Sequence, residues 1–242
     1  MMRLLDLSFP APAENLAFEE VLLRGVAEQA APPVLRFWES PVPFVVLGTS
    51  QKLAEEAHEA NCRAGGVPIL RRCTAGGCVL QGPGSLNYTL AVPLELWPEL
   101  RGLHDSYRHI LGRLAGALAA RGVRTTHQGI CDLTLENRKV SGNAQRRVKG
   151  ALLHHGTLLY RPDYAAMARY LLEPAGRPEY RGRRTHRQFV TALPVSAEEL
   201  RAAVREAFGA GEAAEAPTEA ELEATRELAV TKYSTRAWTY RR

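Results

Sequence analysis

The lysines of this chain are its most informative positive charges, because arginine supplies nearly all the others. The 31 basic residues include only four lysines: Lys52, Lys139, Lys149 and Lys232. A compact ammonium suits contact with a phosphate or a developing oxyanion, where a planar guanidinium is a poor substitute. Lys139 precedes Ser141 and Gly142, whose small size predicts a tight bend. We therefore expect Lys139 to project into a site, the alternative being a solvated lysine of a hairpin.

A glycine-rich segment, RRCTAGGCVLQGPGSLNYTL at 71–90, is a second candidate site. A predicted strand ends in Arg71 and Arg72, and small residues follow at 74–77. Consecutive amides in such a turn can form a nest for an anion, and Arg72 can add a forked contact to phosphate or carboxylate. The lysine of a P-loop is missing and a strand comes next, which excludes that motif. The alternative is an ordinary hairpin turn.

The cysteines and histidines do not predict a metal centre. His154 and His155 are adjacent in a predicted strand, where neighbouring residues point to opposite faces. We expect one of them to lie hydrogen-bonded in the sheet interior, and we expect no metal site. No Cys-x-x-Cys pair occurs, so reduced thiols are expected at all four cysteines: Cys62, Cys73, Cys78 and Cys131.

Hydrophobic periodicity and capping signals predict the elements that must position these residues. Helices are expected from Glu14 to about Ala27, over His104–Arg121, and after the caps Asp163, Ser196 and Thr218. Strands are expected at Val34–Trp38, Pro43–Gly48, Val67–Arg72, Leu86–Val92, 132–142, 151–160 and Arg236–Tyr240. The pattern predicts an α+β fold, with a mixed, largely antiparallel sheet and helices on one side. One domain over residues 1–242 is the simplest organisation.

Composition places this chain of 242 residues among ordinary globular proteins. It is 45% hydrophobic and 24% charged, and it carries a net charge of +5. No apolar run is long enough for a membrane span, and the N-terminus does not resemble a signal peptide. We expect a cytoplasmic location and no membrane contact. The mild positive charge suits an anionic ligand or an acidic partner protein, whereas no basic stripe indicates nucleic acid.

An ordered set of motifs resembles the catalytic domain of lipoate–protein ligases, within the wider biotin/lipoate ligase and octanoyltransferase superfamily. The resemblance covers nearly the whole chain. Its segments are NLAFEE (15–20), FWESPVPFVVLGTSQ (37–51), RRCTAGGCV (71–79), NRKVSGNAQRR (137–147), HHGTLLY (154–160) and KYSTRAWTY (232–240).

The resemblance implies an enzyme that attaches lipoate to a lysine of an acceptor lipoyl domain. ATP, with Mg²⁺, would convert lipoate to lipoyl-adenylate, and Lys139 would contact the acyl carbonyl and the adenylate phosphate as the catalytic residue. Catalysis would then be mainly positioning and charge stabilisation. The binding residues implied by the same motifs are Arg71, Arg72, Ala75, Gly76, Gly77, Cys78, Val79, Leu80, Ser141, Gly142, Asn143 and His155.

Several departures from the ligase pattern favour an alternative. Gln81-Gly82 stands where ligases usually have His-Asp, and Cys131-Asp132 where they often have Asn-Asp. The chain also stops at Arg242, where many ligases carry an accessory domain, which predicts either a separate accessory protein or an enzyme that needs no ATP. The alternative is an octanoyl- or lipoyl-transferase that moves an acyl group between carrier proteins through a thioester on Cys131.

The expectation remains a ligase with a structural Cys131, because cysteine-dependent relatives carry their cysteine farther upstream of the lysine segment. A non-catalytic lipoate- or biotin-binding module is a third hypothesis. The presence of Lys139 in its motif argues against that module.

Overall fold

A computed structural model describes residues 2–174 and 176–241. None of the helices within those ranges is long and apolar enough to cross a membrane. The strands are β1 Arg3–Asp6, β2 Val34–Trp38, β3 Phe44–Leu47, β4 Ile69–Arg71, β5 Val79–Gln81, β6 Ser85–Pro93, β7 Thr126–Gln128, β8 Asp132–Leu135, β9 Arg138–Val148 and β10 Ala151–Leu159. The α-helices are α1 Pro12–Ala27, α2 Leu53–Glu56, α3 Glu59–Ala64, α4 Leu103–Ala119, α5 Tyr164–Tyr170, α6 His186–Phe189, α7 Ala197–Phe208, α8 Glu219–Leu228 and α9 Arg236–Thr239.

The larger of the two sheets has seven strands in the order β1-β2-β6-β10-β9-β8-β7. Strands β1 and β2 are parallel, and every other neighbouring pair in this sheet is antiparallel. The smaller sheet has the order β4-β3-β5, with β4 parallel and β5 antiparallel to β3. The predicted α+β class with a mixed, largely antiparallel sheet is therefore confirmed.

Both faces of the large sheet are covered, whereas the sequence predicted helices on one side. Along β2, Leu35 and Phe37 pack with α4 and α7 in one core. Val34 and Trp38 pack with α1 and α8 in another. Alternating strand residues point to opposite faces, and here both faces carry large apolar side chains, with the buried Arg36 between Val34 and Trp38. Such a strand must be covered on both sides.

A third core lies between the small sheet and the segment around α5 and α6. Val45 and Leu47 of β3 meet Met167 of α5 and Phe189 of α6 there. This core forms the apolar side of the cavity described below.

Local signals place the starts of three helices. Asp163 accepts a hydrogen bond from the Ala166 amide, and the capping boxes predicted at Ser196 and Thr218 are both formed. These caps satisfy first-turn amides that lack partners within the helix.

The predicted closing strand at Arg236–Tyr240 is wrong, because that segment forms α9. The Thr235 hydroxyl accepts from the Trp238 amide and caps the helix. The Trp238 ring nitrogen donates to the Arg71 carbonyl, so this segment is anchored as a short helix against β4.

Gly156 on β10 is required by close packing, and its substitution gives a test of the fold. A Cβ there would lie 1.8 Å from Asn143 Oδ1 and 2.6 Å from Tyr88 Cε1. We expect Gly156→Ala to lower the free energy of unfolding by about 1–3 kcal/mol through overpacking, measured by urea denaturation.

The matched control is Gly112→Ala in α4, where an added Cβ would meet nothing within 4 Å. Alanine in a helix interior should stabilise by roughly 0.5–1 kcal/mol. Equal stability of Gly156→Ala and the wild type would contradict the packing of β9 against β10.

Candidate functional site

Two adjoining cavities lie beside Lys139, between the large sheet, the small sheet and the segment 172–190. The smaller, about 100 Å³, is here called the inner pocket; its floor includes Leu16, Trp38 and Val46. The larger, about 380 Å³, is called the outer cavity; it extends past Leu159 to Phe189. Seven residues line both: Gly77, Cys78, Val79, Cys131, Lys139, Gly142 and Thr157.

An irregularity in β9 brings Lys139 to this junction. Leu133 and Thr134 of β8 are adjacent, but they pair with Ser141 and Lys139, so Val140 is an extra residue in β9. Such a bulge reverses the alternation of side chains along a strand. Lys139 consequently lies on the same face as Gly142, and a Cβ at 142 would be 2.7 Å from its ammonium nitrogen.

Asp132 holds the ammonium in place. Its Oδ1 accepts from Lys139 Nζ at 2.7 Å, and its Oδ2 accepts from the Tyr180 hydroxyl at 2.6 Å. The carboxylate is 8% exposed, which makes the ion pair stronger than one in open water. One half-buried cation is thereby fixed at the point where both cavities meet.

Cys131 places a sulfur beside this ion pair. Its thiol donates to Asp132 Oδ1 at 3.8 Å, so the thiol and the Lys139 ammonium share one carboxylate oxygen. Burial raises the pKa of the Cys131 thiol and the Asp132 charge adds to that increase, while Lys139 and the Asn143 amide oppose it. The net pKa is raised, so the resting group is a neutral thiol.

Arg72 supports the glycine turn from inside instead of presenting a free fork to an anion. Its Nη2 donates to the carbonyls of Ala75 and Gly77 at 2.8 and 2.9 Å, and its Nε donates to Thr74 Oγ1 at 2.8 Å. Its Nε and Nη2 are thereby engaged by the turn, and the forked contact with a ligand stays a prediction. Arg72 still lines the inner pocket and supplies it with a buried positive charge.

Two glycines, which have no side chain, further fix the glycine turn at 74–77. Gly76 has φ of +100°, a conformation that favours glycine. A Cβ on Gly48, at the end of β3, would lie 2.0 Å from the Gly76 carbonyl oxygen. The glycine of the VVLGTSQ motif therefore allows the turn to pack against β3.

A chain of hydrogen bonds crosses the floor of the inner pocket. His155 Nδ1 lies 2.7 Å from Glu19 Oε2, and His155 Nε2 lies 2.8 Å from Thr74 Oγ1. Glu19 also accepts from Trp38 Nε1 and Thr89 Oγ1. Burial would raise the pKa of Glu19, but His155 and its hydrogen bonds outweigh burial and lower it. The carboxylate therefore stays ionised and fixes the imidazole.

His154 is the interior histidine that the sequence predicts. It is fully buried and lies 3.0 Å from the Tyr88 hydroxyl and 3.0 Å from Gln145 Nε2. Burial lowers its pKa to about 3, so it is neutral. The same Tyr88 hydroxyl donates to Asn143 Oδ1 at 2.6 Å and orients Asn143 at the pocket wall.

The structure brings most, but not all, of the predicted site residues together. Lys139 and eight of the predicted binding residues line one or both cavities: Arg72, Gly77, Cys78, Val79, Leu80, Gly142, Asn143 and His155.

Three of the other predicted binding residues line neither cavity and are placed by contacts with protein groups. Arg71 is fully buried and donates to the carbonyls of Gly48, Gln51 and Thr239. Ser141 is fully buried and accepts from Asn143 Nδ2. Ala75 lies in the turn, and its carbonyl accepts a hydrogen bond from Arg72. Gly76 contributes its backbone conformation and does not line either cavity.

Sequence reasoning missed Asp132, Tyr180, Glu19 and Thr74 as site residues. A signal existed for two of them, since Asp132 follows Cys131 directly and Glu19 belongs to the NLAFEE motif. Tyr180 lies 41 positions from Lys139 in a loop, and nothing local marks it.

The Asp132 carboxylate is not disposed to hold a magnesium ion. Both oxygens of Asp132 already accept hydrogen bonds from protein groups. Within the described part of the chain, no group of three His, Cys, Asp or Glu side chains is placed to hold a metal. Magnesium is usually held by carboxylates together with substrate phosphates, whereas the Asp132 carboxylate is engaged at both oxygens by Lys139 and Tyr180.

The comparisons with known proteins agree with one another. The model of the lipoyl protein ligase A/B catalytic domain matches residues 11–209. An octanoyltransferase LipM of Carboxydothermus hydrogenoformans is 32% identical over 256 residues, covering 95% of this chain and 94% of that protein. Lipoate–protein ligase 1 of Staphylococcus aureus is 26% identical over 239 residues, covering 96% of this chain and 70% of that protein.

A solved structure supports the same relationship. The bi-partite lipoate protein ligase of Thermoplasma acidophilum superimposes with a TM-score of 0.83 at 25% identity, covering 98% of this chain and 95% of that one. The Lys139 motif, the glycine turn and the junction of cavities thus occur in a chain whose relatives are ligases and transferases of protein lipoylation. The chain belongs to the lipoyl protein ligase A/B catalytic domain family, and is an enzyme of the lipoate–protein ligase or the octanoyl- or lipoyl-transferase type.

Proposed function

We propose that this protein is an octanoyl- or lipoyl-transferase, which moves an acyl group from a carrier protein to a lysine of a lipoyl domain through a thioester on Cys131. The observation that carries the proposal is the position of Cys131. Its sulfur lies where the two cavities meet, and it shares Asp132 Oδ1 with Lys139. The octanoyltransferase relatives favour this function over the ligase expected from the sequence.

The geometry suggests how the substrates divide between the cavities. A donor thioester must keep its carrier outside the protein while its carbonyl reaches Cys131. The inner pocket has a floor of buried residues, including Leu16 and Trp38, and suits the free end of the acyl chain. The outer cavity extends to exposed groups such as Ile130, and suits the arm that joins the acyl group to its carrier.

In the first step, the Cys131 sulfur attacks the thioester carbonyl of the donor. The new carbon–sulfur bond forms on Cys131, and the bond to the carrier's sulfur breaks. Asp132 Oδ1 accepts the thiol proton, which passes to the departing carrier thiolate. Lys139 Nζ lies 2.7 Å from the same oxygen and stabilises the oxyanion that develops on the acyl carbonyl.

In the second step, the neutral amine of an acceptor lysine attacks the acyl-enzyme. An amide bond forms, the thioester bond to Cys131 breaks, and the leaving sulfur takes up the proton that the amine loses. Lys139 again stabilises the oxyanion. Both steps balance without ATP, a metal or a redox partner.

A lipoate–protein ligase is the second candidate, favoured by the ligase relatives. ATP would then activate free lipoate as lipoyl-adenylate, and Lys139 would contact the phosphate. The two functions separate in one assay of acyl transfer to a lipoyl domain. An acyl-carrier donor without ATP should support transfer by a transferase, whereas free lipoate with ATP and Mg²⁺ should support transfer by a ligase.

Replacement of the sulfur is the first test. We expect Cys131→Ser to lose the acyl-enzyme adduct seen by intact mass spectrometry, and to lose transfer from the carrier donor by at least about 10²-fold, because a hydroxyl is a far weaker nucleophile. Cys78→Ser is the matched control, because Cys78 also lines both cavities, whereas the carboxylate that would accept the thiol proton, Asp132, is in contact with Cys131. Near-wild-type transfer by Cys131→Ser would instead favour the ligase.

Replacement of the ammonium is the second test. Lys139→Ala should reduce single-turnover transfer by on the order of 10²–10³, the usual cost of losing a preorganised charge contact. Lys139→Arg should not restore it, because the ammonium already lies closely over Gly142 and a planar guanidinium is larger.

Lys149→Ala, at the exposed turn between β9 and β10, is the control for loss of a lysine. Thermal unfolding should show that all three variants remain folded. Normal turnover of Lys139→Ala would mean that this residue is only a hairpin lysine.

The raised pKa of Cys131 gives a pH test. Because the pKa is raised, we expect alkylation of Cys131 by iodoacetamide to be slow at pH 7 and to increase through a midpoint above the ~8.5 of an unperturbed thiol. Asp132→Asn should move the midpoint down, since the Asp132 charge disfavours the thiolate. Peptide mapping distinguishes Cys131 from the other cysteines. A midpoint at or below that of a free thiol, or an upward shift in the variant, would contradict this environment.

A further inference from the structure

A group of positive charges lies beside the outer cavity. Between Glu173 and Arg187 the sequence has five arginines and two glutamates. That segment therefore carries a net charge of +3. The same segment lines the outer cavity through Pro174, Pro178 and His186, among others. We name the side chains of Arg138, Arg177, Arg183, Arg184 and Arg187 the arginine rim.

The rim arginines have little negative charge against them. Arg184 donates to the carbonyls of Asn137, Tyr180 and Arg181, and Arg138 donates to those of Arg187 and Val190. Carbonyl oxygens orient a guanidinium but do not neutralise it. Arg181, by contrast, is buried and forms an ion pair with Glu173, and so is not counted in the rim.

Exposure distinguishes the rim from arginines that stabilise the fold. Arg177, Arg183 and Arg187 are exposed, and Arg138 and Arg184 are half-buried. Like charges held close together repel each other, so the protein alone gains no stability from this arrangement. A cluster of this kind beside the opening of an apolar cavity is complementary to an anionic partner.

We propose that the arginine rim is the docking surface for the acyl donor, an acidic carrier protein whose acyl arm enters the outer cavity toward Cys131. This proposal rests on the proposed transferase function. The cavity is apolar along Leu159, Met167 and Val190 and suits a narrow arm. An arm joined to its carrier by a phosphodiester brings a negative charge past the rim.

The charge of the rim favours the donor over the acceptor as its occupant. The acceptor delivers a lysine amine, which the rim repels while that amine is protonated. The donor delivers an uncharged thioester on an anionic arm, which the rim attracts. Electrostatic complementarity of this kind mainly increases the association rate, and salt weakens it.

The test reverses two exposed rim charges that make no contact with the reacting groups. In Arg183→Glu/Arg187→Glu, the KM for an octanoyl-carrier protein should rise at least about 10-fold. Its kcat should change little, and the dependence of kcat/KM on salt should become weaker. Octanoyl-pantetheine, which has neither the protein nor the phosphate, should react as it does with the wild type.

The matched control is Arg108→Glu/Arg124→Glu, on α4 and in the loop that follows it, which imposes the same change of net charge on exposed residues outside both cavities. It should leave the KM for the carrier protein within about twofold of the wild type. An equal rise in both double variants would show a general charge effect and overturn the rim as a docking surface.

Two further outcomes would overturn the proposal. One is an unchanged KM for the carrier protein in the rim variant, while the wild type uses both donors. The other is a defect confined to transfer from the preformed acyl-enzyme to the lipoyl domain, which would assign the rim to the acceptor. If the wild type used neither donor, the transferase function itself would fail, which is a distinguishable result.

Discussion

The ion pair of Lys139 and Asp132 is the interaction on which the rest of the site depends. It forms because Val140 is an extra residue in β9, which turns Lys139 to the face of Gly142. Without that bulge, regular alternation would direct the ammonium to the opposite face of the sheet. The cost of holding a nearly buried carboxylate is offset by Lys139 and Tyr180, which satisfy both of its oxygens.

The sequence predicted the fold better than it predicted the contacts within the site. The pattern of residues predicts β2 with the bounds that the structure shows. The capping boxes predict the starts of α7 and α8. Both signals are local in the sequence. Lys139 was recognised through its motif, yet its orientation depends on a bulge that no residue type announces. Asp132 meets Tyr180 across 48 positions of sequence, and single-sequence reasoning has no access to such a pairing.

Arginine shows why residue type alone does not determine a side chain's role. Arg71 and Arg72 are neighbours at the end of β4, and both looked suited to an anionic ligand. In the structure Arg71 donates to carbonyls at the ends of distant segments, and Arg72 donates to carbonyls of its own turn. A guanidinium with five donors is effective at satisfying buried carbonyls, and the tertiary structure decides whether it does that or binds a ligand. The ammonium of Lys139 is held by Asp132 and lines both cavities.

The hydrogen-bond chain on the pocket floor has a consequence for how the protein folds. Its members lie far apart in the sequence, since the contact of His155 with Glu19 spans 136 positions. The end of β4 is likewise held by the carbonyl of Thr239, 168 positions from Arg71. Contacts of such long range require chain closure before they contribute any stability, and they are characteristic of slow folding. The candidate site is therefore incomplete until these distant segments have met, and in a nascent chain those segments include α9.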